Sequence, residues 1–202
     1  MLPIVLVTFC YSQMLKRTFD LTFGILALIV ALPLMVIAGF MVYLEDGRPI
    51  LFRQKRVGRN GHVFEMFKIR SMVKDAHPAD VQGNIICKKK DDPRVTRVGR
   101  LLRRFSLDEL PQLFNVLMGT MSLVGPRPEL PYLAERYEPW QRERFSVLPG
   151  ITGWWQINNR GDQPMSLHID DDLYYIRNGS IWLDLEILAQ TVWVVLSGKG
   201  SY

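Results

Sequence analysis

The sequence predicts an α+β protein that is mainly helical, with a small antiparallel β element and a re-entrant membrane helix near its N-terminus. Three observations lead to this prediction. Residues 21–44 carry no charge, residues 50–69 combine apolar alternation with a turn, and most later segments repeat apolar residues at helical spacing. The 202 residues divide into an apolar extension, a membrane hairpin and a globular domain, at residues 1–15, 16–45 and 46–202.

The uncharged segment predicts membrane contact, and a buried core helix is the alternative. As a helix, its 24 residues would reach about 36 Å at 1.5 Å per residue, enough to cross the hydrocarbon. Pro33 lies at its centre, where proline kinks a helix. Basic residues flank it on both sides, with Lys16 and Arg17 before it and Arg48 after it. Because the positive-inside rule requires a charge asymmetry, the pattern favours a hairpin that is broken at Pro33 and returns to the same side.

The net charge of +5 indicates an anionic partner, which could be a membrane surface, a nucleic acid or a phosphorylated substrate. Cys10 and Cys87 have neither metal-binding nor redox spacing, so the sequence predicts a reducing compartment and no disulfide. The sequence also contains no Walker motif, no GxGxxG loop and no zinc-binding spacing. These features argue against the P-loop, dinucleotide-binding and zinc-finger classes.

A β-hairpin is predicted directly after the membrane segment. Residues 50–52 and 63–69 form its two short strands, and residues 59–61, Arg-Asn-Gly, form the turn between them. Residues 75–92 follow as a loop-rich insertion with a solvated run of charges.

A basic amphipathic helix is predicted next. Its apolar stripe consists of Val98, Leu101, Leu102 and Phe105, and its other faces carry Arg97, Arg100, Arg103 and Arg104. Such a helix suits a membrane surface, and an ordinary helix docked on the protein fits the pattern equally well. In both cases the helix ends just before Asp108 and brings arginines next to it.

Asp108 and Glu109 form an acidic pair where a second helix begins. Its predicted apolar stripe consists of Leu110, Leu113, Phe114 and Leu117. A capping box between Ser106 and Glu109 would explain the pair without any function. Since Pro111 would interrupt a helix that begins at Ser106, we expect Asp108 or Glu109 to be the N-cap. A carboxylate would then lie at the helix mouth, where backbone N–H groups can also hold a phosphate.

The loop at residues 122–129 is a candidate anion clamp. Pro126 and Pro128 restrict the backbone on both sides of Arg127, and Gly125 permits a tight turn. A rigid loop that presents one arginine suits an anion. A surface turn with a free arginine is the alternative.

The remaining segments are predicted to be mainly helical. Residues 131–145 form a charged helix, another helix begins before Leu173, and residues 180–196 form a tryptophan-containing helix with few charges. Trp154 and Trp155 could lie in the core, stack on a base or lie among lipid headgroups.

Seven motifs occur in order along the chain. They are KRTFD (16–20), FRQKRVGRNG (52–61), FKIRSM (67–72), SLDELPQLFNVL (106–117), SLVGPRPE (122–129), LPGITGWWQ (148–156) and WLDLEIL (182–188). Through this ordered set, residues 16–202 resemble the bacterial sugar transferase family, the monotopic polyprenyl-phosphate phosphoglycosyl transferases that begin glycan assembly. A re-entrant hairpin broken at a proline is also the membrane anchor that this resemblance implies.

The resemblance implies a reaction, a location and partners. A UDP-sugar donor would lose UMP, and its phospho-sugar would pass to polyprenyl phosphate, giving a polyprenyl diphosphate sugar. The catalytic domain, residues 46–202, would lie on the cytosolic face of the inner membrane, in contact with the lipid bilayer. No nucleic acid would take part. The sugar, the glycan pathway and homo-oligomerisation are left open.

The resemblance also assigns roles to residues. Asp108 would be the nucleophile that forms an aspartyl phospho-sugar intermediate, and Asp108 and Glu109 would hold the cofactor Mg²⁺. The residues that would bind substrate phosphates are Arg103, Arg127, Arg160, Lys68 and Arg70. Direct phosphotransfer or hydrolysis at the same carboxylates is an alternative, as is a non-catalytic basic membrane adaptor.

Overall fold

A computed structural model describes residues 4–74, 76, 92–158 and 169–197. Its helices are α1 (Ile4–Asp46), α2 (Arg97–Arg104), α3 (Gln112–Met118), α4 (Pro131–Ala134), α5 (Trp154–Asn158), α6 (Ile169–Asn178) and α7 (Ile181–Ser197). Its strands are β1 (Leu51–Val57), β2 (Val63–Ile69), β3 (Ser122–Val124) and β4 (Gly150–Thr152). The predicted class, mainly helical with a small antiparallel β element, is therefore confirmed.

The antiparallel element is the predicted hairpin of β1 and β2. The two strands pair from Leu51 with Ile69 to Val57 with Val63, so β1 is longer than predicted. The turn contains Asn60, whose φ of 57° lies in the left-handed region that asparagine tolerates. Asn115 of α3 joins this hairpin to the core through hydrogen bonds to the backbone of β2.

A second, parallel sheet of β3 and β4 lies at the centre of the domain and was not predicted. Each strand has only three residues, too short for a periodic pattern to show. Val124 on β3 is buried together with Met121 and with Ile187 of α7. A Cβ added at Gly150 would lie 2.1 Å from the backbone nitrogen of Gly125, so only glycine permits this close approach.

Helix α1 packs one stripe against the domain and leaves an apolar face exposed. The buried stripe includes Gly24, Ala31, Ala38 and Val42. The exposed face includes Phe23, Ile29, Val30, Val36, Ile37, Phe40 and Leu44. Within the described residues, the part Gln13–Asp46 is the one helix that is long and apolar enough to cross a membrane by length and composition. An exposed apolar surface of this extent favours lipid contact, as predicted. Pro33 lies inside α1, which is a single helix, so the two arms of the predicted hairpin are not shown.

The N-terminal part of α1 is held by the globular domain. Arg17 donates to the backbone oxygens of Val116 (2.6 Å) and Leu117 (2.9 Å), and so satisfies carbonyls at the end of α3. Lys16 lies 3.1 Å from Asp20 and 2.7 Å from Asp184 of α7. Both residues, considered from sequence as charges that flank a membrane segment, therefore make contacts within the protein.

The C-terminal end of α1 is held by the same domain. The carboxylate of Glu45 accepts hydrogen bonds from the backbone nitrogens of Arg97 and Val98 (2.8 and 3.0 Å), the first residues of α2. Arg70 donates to the backbone oxygens of Asp46 and Gly47 (3.0 and 2.9 Å). The two ends of the apolar segment thus contact one globular domain.

The prediction of one charged helix at residues 131–145 is wrong. Helix α4 covers only four residues, and a short 3₁₀ helix follows at Gln141–Ser146. The chain is irregular here because Tyr137 and Arg144 turn inward to a buried polar network, which a regular surface helix would not permit. Both helices predicted at the C-terminal end are confirmed as α6 and α7.

Candidate active site

The acidic pair lies on a 3₁₀ turn, Leu107–Glu109, between α2 and α3. Ser106 has a φ of 54° and makes no side-chain capping bond, so the capping box is not formed. Helix α3 begins at Gln112, with Pro111 at the N-cap. The prediction that Asp108 or Glu109 caps this helix is therefore wrong. At the N-cap the missing N–H of Pro111 removes no hydrogen bond within the helix, and both acids lie on the preceding turn.

Helix α3 is oriented by polar contacts as well as by its apolar face. Leu113 and Val116 are buried, whereas Phe114 of the predicted stripe is 38% exposed. Asn115 is 1% exposed; it accepts from the backbone nitrogen of Phe67 (3.0 Å) and donates to the backbone oxygen of Glu65 (2.7 Å). These two bonds attach α3 to β2, the strand that carries Lys68.

Glu109 receives two cations on one carboxylate oxygen. The Nζ of Lys68 lies 2.8 Å from Oε1 of Glu109, and Nη2 of Arg127 lies 3.0 Å from the same atom. The negative charge of Glu109 raises the pKa of Arg127, against the opposing effect of burial, and Asp108 adds to this rise. Asp108 is buried beside this cluster, with 8% of its surface exposed. Lys68 and Arg127, 59 residues apart, thus meet at the acidic pair.

Arg103 reaches the acidic pair from the last turn of α2. Its Nε donates to the hydroxyl of Ser71 (2.9 Å), which fixes the guanidinium. Burial lowers the pKa of Arg103, and the charge of Asp108 is the largest opposing effect. The spacing between α2 and Ser71 is tight, since a Cβ on Gly99 would lie 2.0 Å from the Ser71 carbonyl oxygen.

Arg56 is a further cation of the cluster, and sequence reasoning missed it. Its Nη1 donates to the carbonyl oxygen of Pro128 (3.1 Å), and its Nη2 donates to the side chain of Gln54 (2.7 Å). Burial first, and then the charge of Arg127, lower the pKa of Arg56 to about 10, while Glu109 and Glu129 oppose the shift. A predicted strand that continued to residue 57 would have placed Arg56 on the inner face.

The loop that carries Arg127 is held through four consecutive carbonyl groups. Pro126 accepts from the nitrogen of Gly150 (2.9 Å), Pro128 accepts from Arg56 (3.1 Å), and Glu129 accepts from the nitrogen of Val57 (2.8 Å). The carbonyl of Arg127 accepts from Arg144 (2.9 Å). The alternative of a surface turn with a free arginine is therefore wrong.

One of the predicted binding residues, Arg70, does not contact this cluster. Arg70 is 7% exposed and uses Nη2 at the end of α1, as described above. Arg160 lies outside the described residues. Trp155 is 8% exposed and belongs to the interior, while Trp154 contacts the ring of Tyr174 at 5.0 Å.

Comparisons with known proteins identify the family. The profile of the family described as "Bacterial sugar transferase" matches residues 11–198. The chain belongs to the bacterial sugar transferase family. The family expected from the ordered motifs, and with it a transferase, is therefore confirmed.

Curated relatives of this sugar transferase family member include both longer and similar-sized proteins. It is 42% identical over 202 residues to the "Undecaprenyl-phosphate galactose phosphotransferase" of Salmonella typhimurium, covering 95% of this chain and 42% of the relative. It is 44% identical over 194 residues to the "Undecaprenyl-phosphate glucose phosphotransferase" of Komagataeibacter xylinus, covering 90% of this chain and 36% of the relative. The "Uncharacterized sugar transferase EpsL" of Bacillus subtilis is 42% identical over 188 residues, which cover 93% of this chain and 90% of the relative. The chain thus spans about two fifths of the length of the first two.

The charges of the site in this family member suit a diphosphate. The cations Lys68, Arg103, Arg127 and Arg56 lie around Asp108 and Glu109, and other acids offset only part of their charge. Arginine forks match phosphate oxygens, and partial burial strengthens their attraction. The arrangement can therefore hold an anionic substrate next to a buried carboxylate.

The described side chains alone do not supply a complete set of Mg²⁺ ligands at this site. Among the residues that the structure describes, no group of three or more histidine, cysteine, aspartate or glutamate side chains could hold a metal ion. Mg²⁺ in phosphate-transferring sites commonly takes one or two carboxylates from the protein and completes its shell with phosphate oxygens and water. Asp108 and Glu109 satisfy that requirement as adjacent residues of one turn.

Proposed function

We propose that the chain transfers a phospho-sugar from a UDP-sugar to polyprenyl (undecaprenyl) phosphate, which yields UMP and a polyprenyl diphosphate sugar, as the first membrane step of glycan assembly. The observation that carries the proposal is the convergence of Lys68, Arg103 and Arg127 on the acidic pair of buried Asp108 and partly buried Glu109. The names of the relatives support undecaprenyl phosphate as the acceptor and a hexose as the sugar.

In the proposed first step, a carboxylate oxygen of Asp108 attacks the phosphorus that carries the sugar. The bond from this phosphorus to the oxygen of UMP breaks, UMP leaves, and the phospho-sugar remains on Asp108 as an acyl phosphate. Lys68 and Arg127 hold Glu109 next to the nucleophile. Together with Arg103 they stabilise the negative charge on the phosphate oxygens.

In the second step, a phosphate oxygen of the polyprenyl acceptor attacks the same phosphorus. The bond to Asp108 breaks, the carboxylate is restored, and the polyprenyl diphosphate sugar leaves. Asp108 and Glu109 would hold Mg²⁺, which when bound would neutralise charge on the diphosphate. Dividing the transfer into two displacements lets one set of cations serve both phosphates.

The proposed reaction requires the site to lie near lipid headgroups, on the cytosolic face of the inner membrane. We propose that the apolar segment of α1 is re-entrant, with both of its ends on that face, because Arg17 and Glu45, which flank this segment, contact one globular domain. Single cysteines at Met14 and Arg48, in a chain with Cys10 and Cys87 replaced by serine, test this arrangement in intact cells. Opposite accessibility of the two positions to an impermeant reagent would rule it out.

Mass spectrometry of the enzyme quenched after mixing with donor alone tests the covalent step. We expect a phospho-sugar adduct on Asp108, one UMP released per enzyme at most, and no adduct in Asp108→Asn. The matched control is Asp171→Asn, at an acid on α6 outside this cluster. Normal turnover by Asp108→Asn would refute the nucleophile.

The same assay separates the alternative functions. Release of UMP that requires the acceptor, without an adduct, would indicate direct transfer. Sugar phosphate that appears in water rather than in lipid would indicate hydrolysis. A basic membrane adaptor would tolerate Asp108→Asn and lose binding at high salt.

A further inference from the structure

A buried ionic network lies directly behind the loop of Arg127. At its centre is Arg144, which is 1% exposed. Its Nη1 donates to the hydroxyl of Tyr137 (2.9 Å) and lies 3.4 Å from Oε2 of Glu129. Its Nη2 lies 2.6 Å from Oδ2 of Asp172 and donates to the carbonyl oxygen of Arg127 (2.9 Å). One guanidinium thus joins α6 to the backbone of a proposed phosphate-binding residue.

The members of the network also hold one another. The hydroxyl of Tyr137 donates to Oε2 of Glu129 (2.6 Å), and Oε1 of Glu129 accepts from the nitrogen of Leu130 (2.9 Å). Burial raises the pKa of Asp172 to about 6, and the positive charge of Arg144 opposes this rise. Tyr137 and Glu129, the two partners of Nη1 of Arg144, are therefore each held by a second contact.

Such a network is a poor way to gain stability alone. Charged side chains lose their hydration when they are buried, and apolar residues of similar volume often stabilise a core equally well or better. What an apolar cluster cannot supply is a directed hydrogen bond to one carbonyl group. Arg127 is flanked by Pro126 and Pro128, which have no N–H, so the position of this loop depends on what its carbonyls accept.

We propose that Arg144 is a positioning residue which, through Tyr137 and Asp172, fixes the backbone of Arg127 and thereby keeps its guanidinium on Glu109. The carbonyl and the side chain of Arg127 share one Cα atom, so a displaced carbonyl displaces the guanidinium. Misplacement of a binding group by about 1 Å can lower a rate by about 100-fold. The role towards phosphate rests on the proposed function, whereas the contact with Glu109 does not.

Two substitutions test the network, one at its central arginine and one that removes a single hydroxyl group. Arg144→Lys keeps the charge, but a single ammonium cannot reach Tyr137, Asp172 and the Arg127 carbonyl together. Tyr137→Phe removes only a hydroxyl group, and serves if the first variant does not fold. The control is Glu143→Gln, next to Arg144, since Glu143 is an exposed residue whose carboxylate contacts the exposed Arg177 at 3.3 Å.

The first measurement needs no substrate. Phenylglyoxal modifies arginine, and its rate at Arg127 is followed by peptide mass spectrometry of the folded protein. We expect both variants to raise the modification rate of Arg127 by about threefold or more, because a displaced guanidinium no longer contacts Glu109. Glu143→Gln should leave this rate unchanged. Equal rates at Arg127 in wild type and in both folded variants would overturn the proposal.

The second measurement is a double-mutant cycle of Tyr137→Phe with Arg127→Ala on phospho-sugar transfer. We expect Tyr137→Phe to lower kcat/KM about fivefold in the wild type and less than about twofold in Arg127→Ala, because the effect passes through Arg127. Effects that multiply would show a merely structural role and overturn the proposal. A wild type that transfers no phospho-sugar would refute the proposed function, and the modification rate would still decide the positioning role.

Discussion

Replacing Lys16 with methionine removes the one cation that two buried carboxylates share. The side chains of Asp20 and Asp184 are 1% and 2% exposed, and Lys16 lies 3.1 and 2.7 Å from them. Removing one partner of a buried ion pair costs about 3–5 kcal/mol. Because Lys16 is 26% exposed, we expect the lower end, about 3 kcal/mol. At this chain length that corresponds to a fall in Tm of about 6–12 °C.

The pH dependence of the variant distinguishes charge from packing. Burial raises the pKa of Asp184, and Lys16 is the largest opposing influence. Without Lys16 this pKa rises further, so the folded state binds a proton more readily than the unfolded state. The stability of Lys16→Met should therefore recover as the pH falls towards about 4, the pKa of an aspartate in the unfolded chain.

Thermal unfolding in detergent micelles between pH 5 and 8 measures both effects. The control is Lys55→Met, at an exposed position of β1, which should change stability by less than about 0.5 kcal/mol. If Lys16→Met unfolds at the wild-type temperature at pH 8, or loses stability as the pH falls, the assignment of Lys16 as a structural cation is refuted.

Three further substitutions probe the site and its support. Glu109→Gln removes the charge that Lys68 and Arg127 share, and should lower the initial rate of transfer into lipid about 100-fold. It should also lower the Tm, because two partly buried cations lose their partner; a normal rate would contradict its role. Gly99→Ala forces a Cβ against the carbonyl of Ser71 and should lower the free energy of unfolding, measured in urea, by about 1–3 kcal/mol. A variant as stable as the wild type would disprove this close contact. Asn115→Leu leaves two backbone groups of β2 without their partner, at about 1–3 kcal/mol each, again measured by urea unfolding; an unchanged midpoint would show that water replaces the amide.

Local patterns predicted the parts of the fold that depend on neighbours in the chain. The β1–β2 hairpin followed from alternation and an asparagine-glycine turn, and α6 and α7 followed from helical spacing. Asn115 shows the limit of such patterns. It looks like a polar residue between apolar positions, but its amide is buried because it hydrogen-bonds β2, about 50 residues earlier.

The site could be predicted only in part for the same reason. Asp108 and Glu109 were found as adjacent acids near arginines, and Arg127 as the arginine of a proline-flanked loop, whereas the role of Lys68 came from family resemblance. Nothing local marks Arg144, whose partners at positions 129, 137 and 172 lie in three different segments. A charge run that looks solvated can thus contain a fully buried cation, if acids elsewhere in the chain neutralise it.

The contacts of α1 also change the basis for its orientation. Lys16 and Arg17 bind groups inside the protein, so they count less as charges that compete for the cytosolic side. The side of the membrane on which the ends of α1 lie depends instead on the contacts that attach α1 to the globular domain. Arg17 binds the last carbonyls of α3, a helix of seven residues that is about 10 Å long, and the acidic turn ends three residues before α3 begins. Helix α1 therefore holds Asp108 within about one short helix of its own surface, as the proposed transfer between a nucleotide sugar and a lipid phosphate requires.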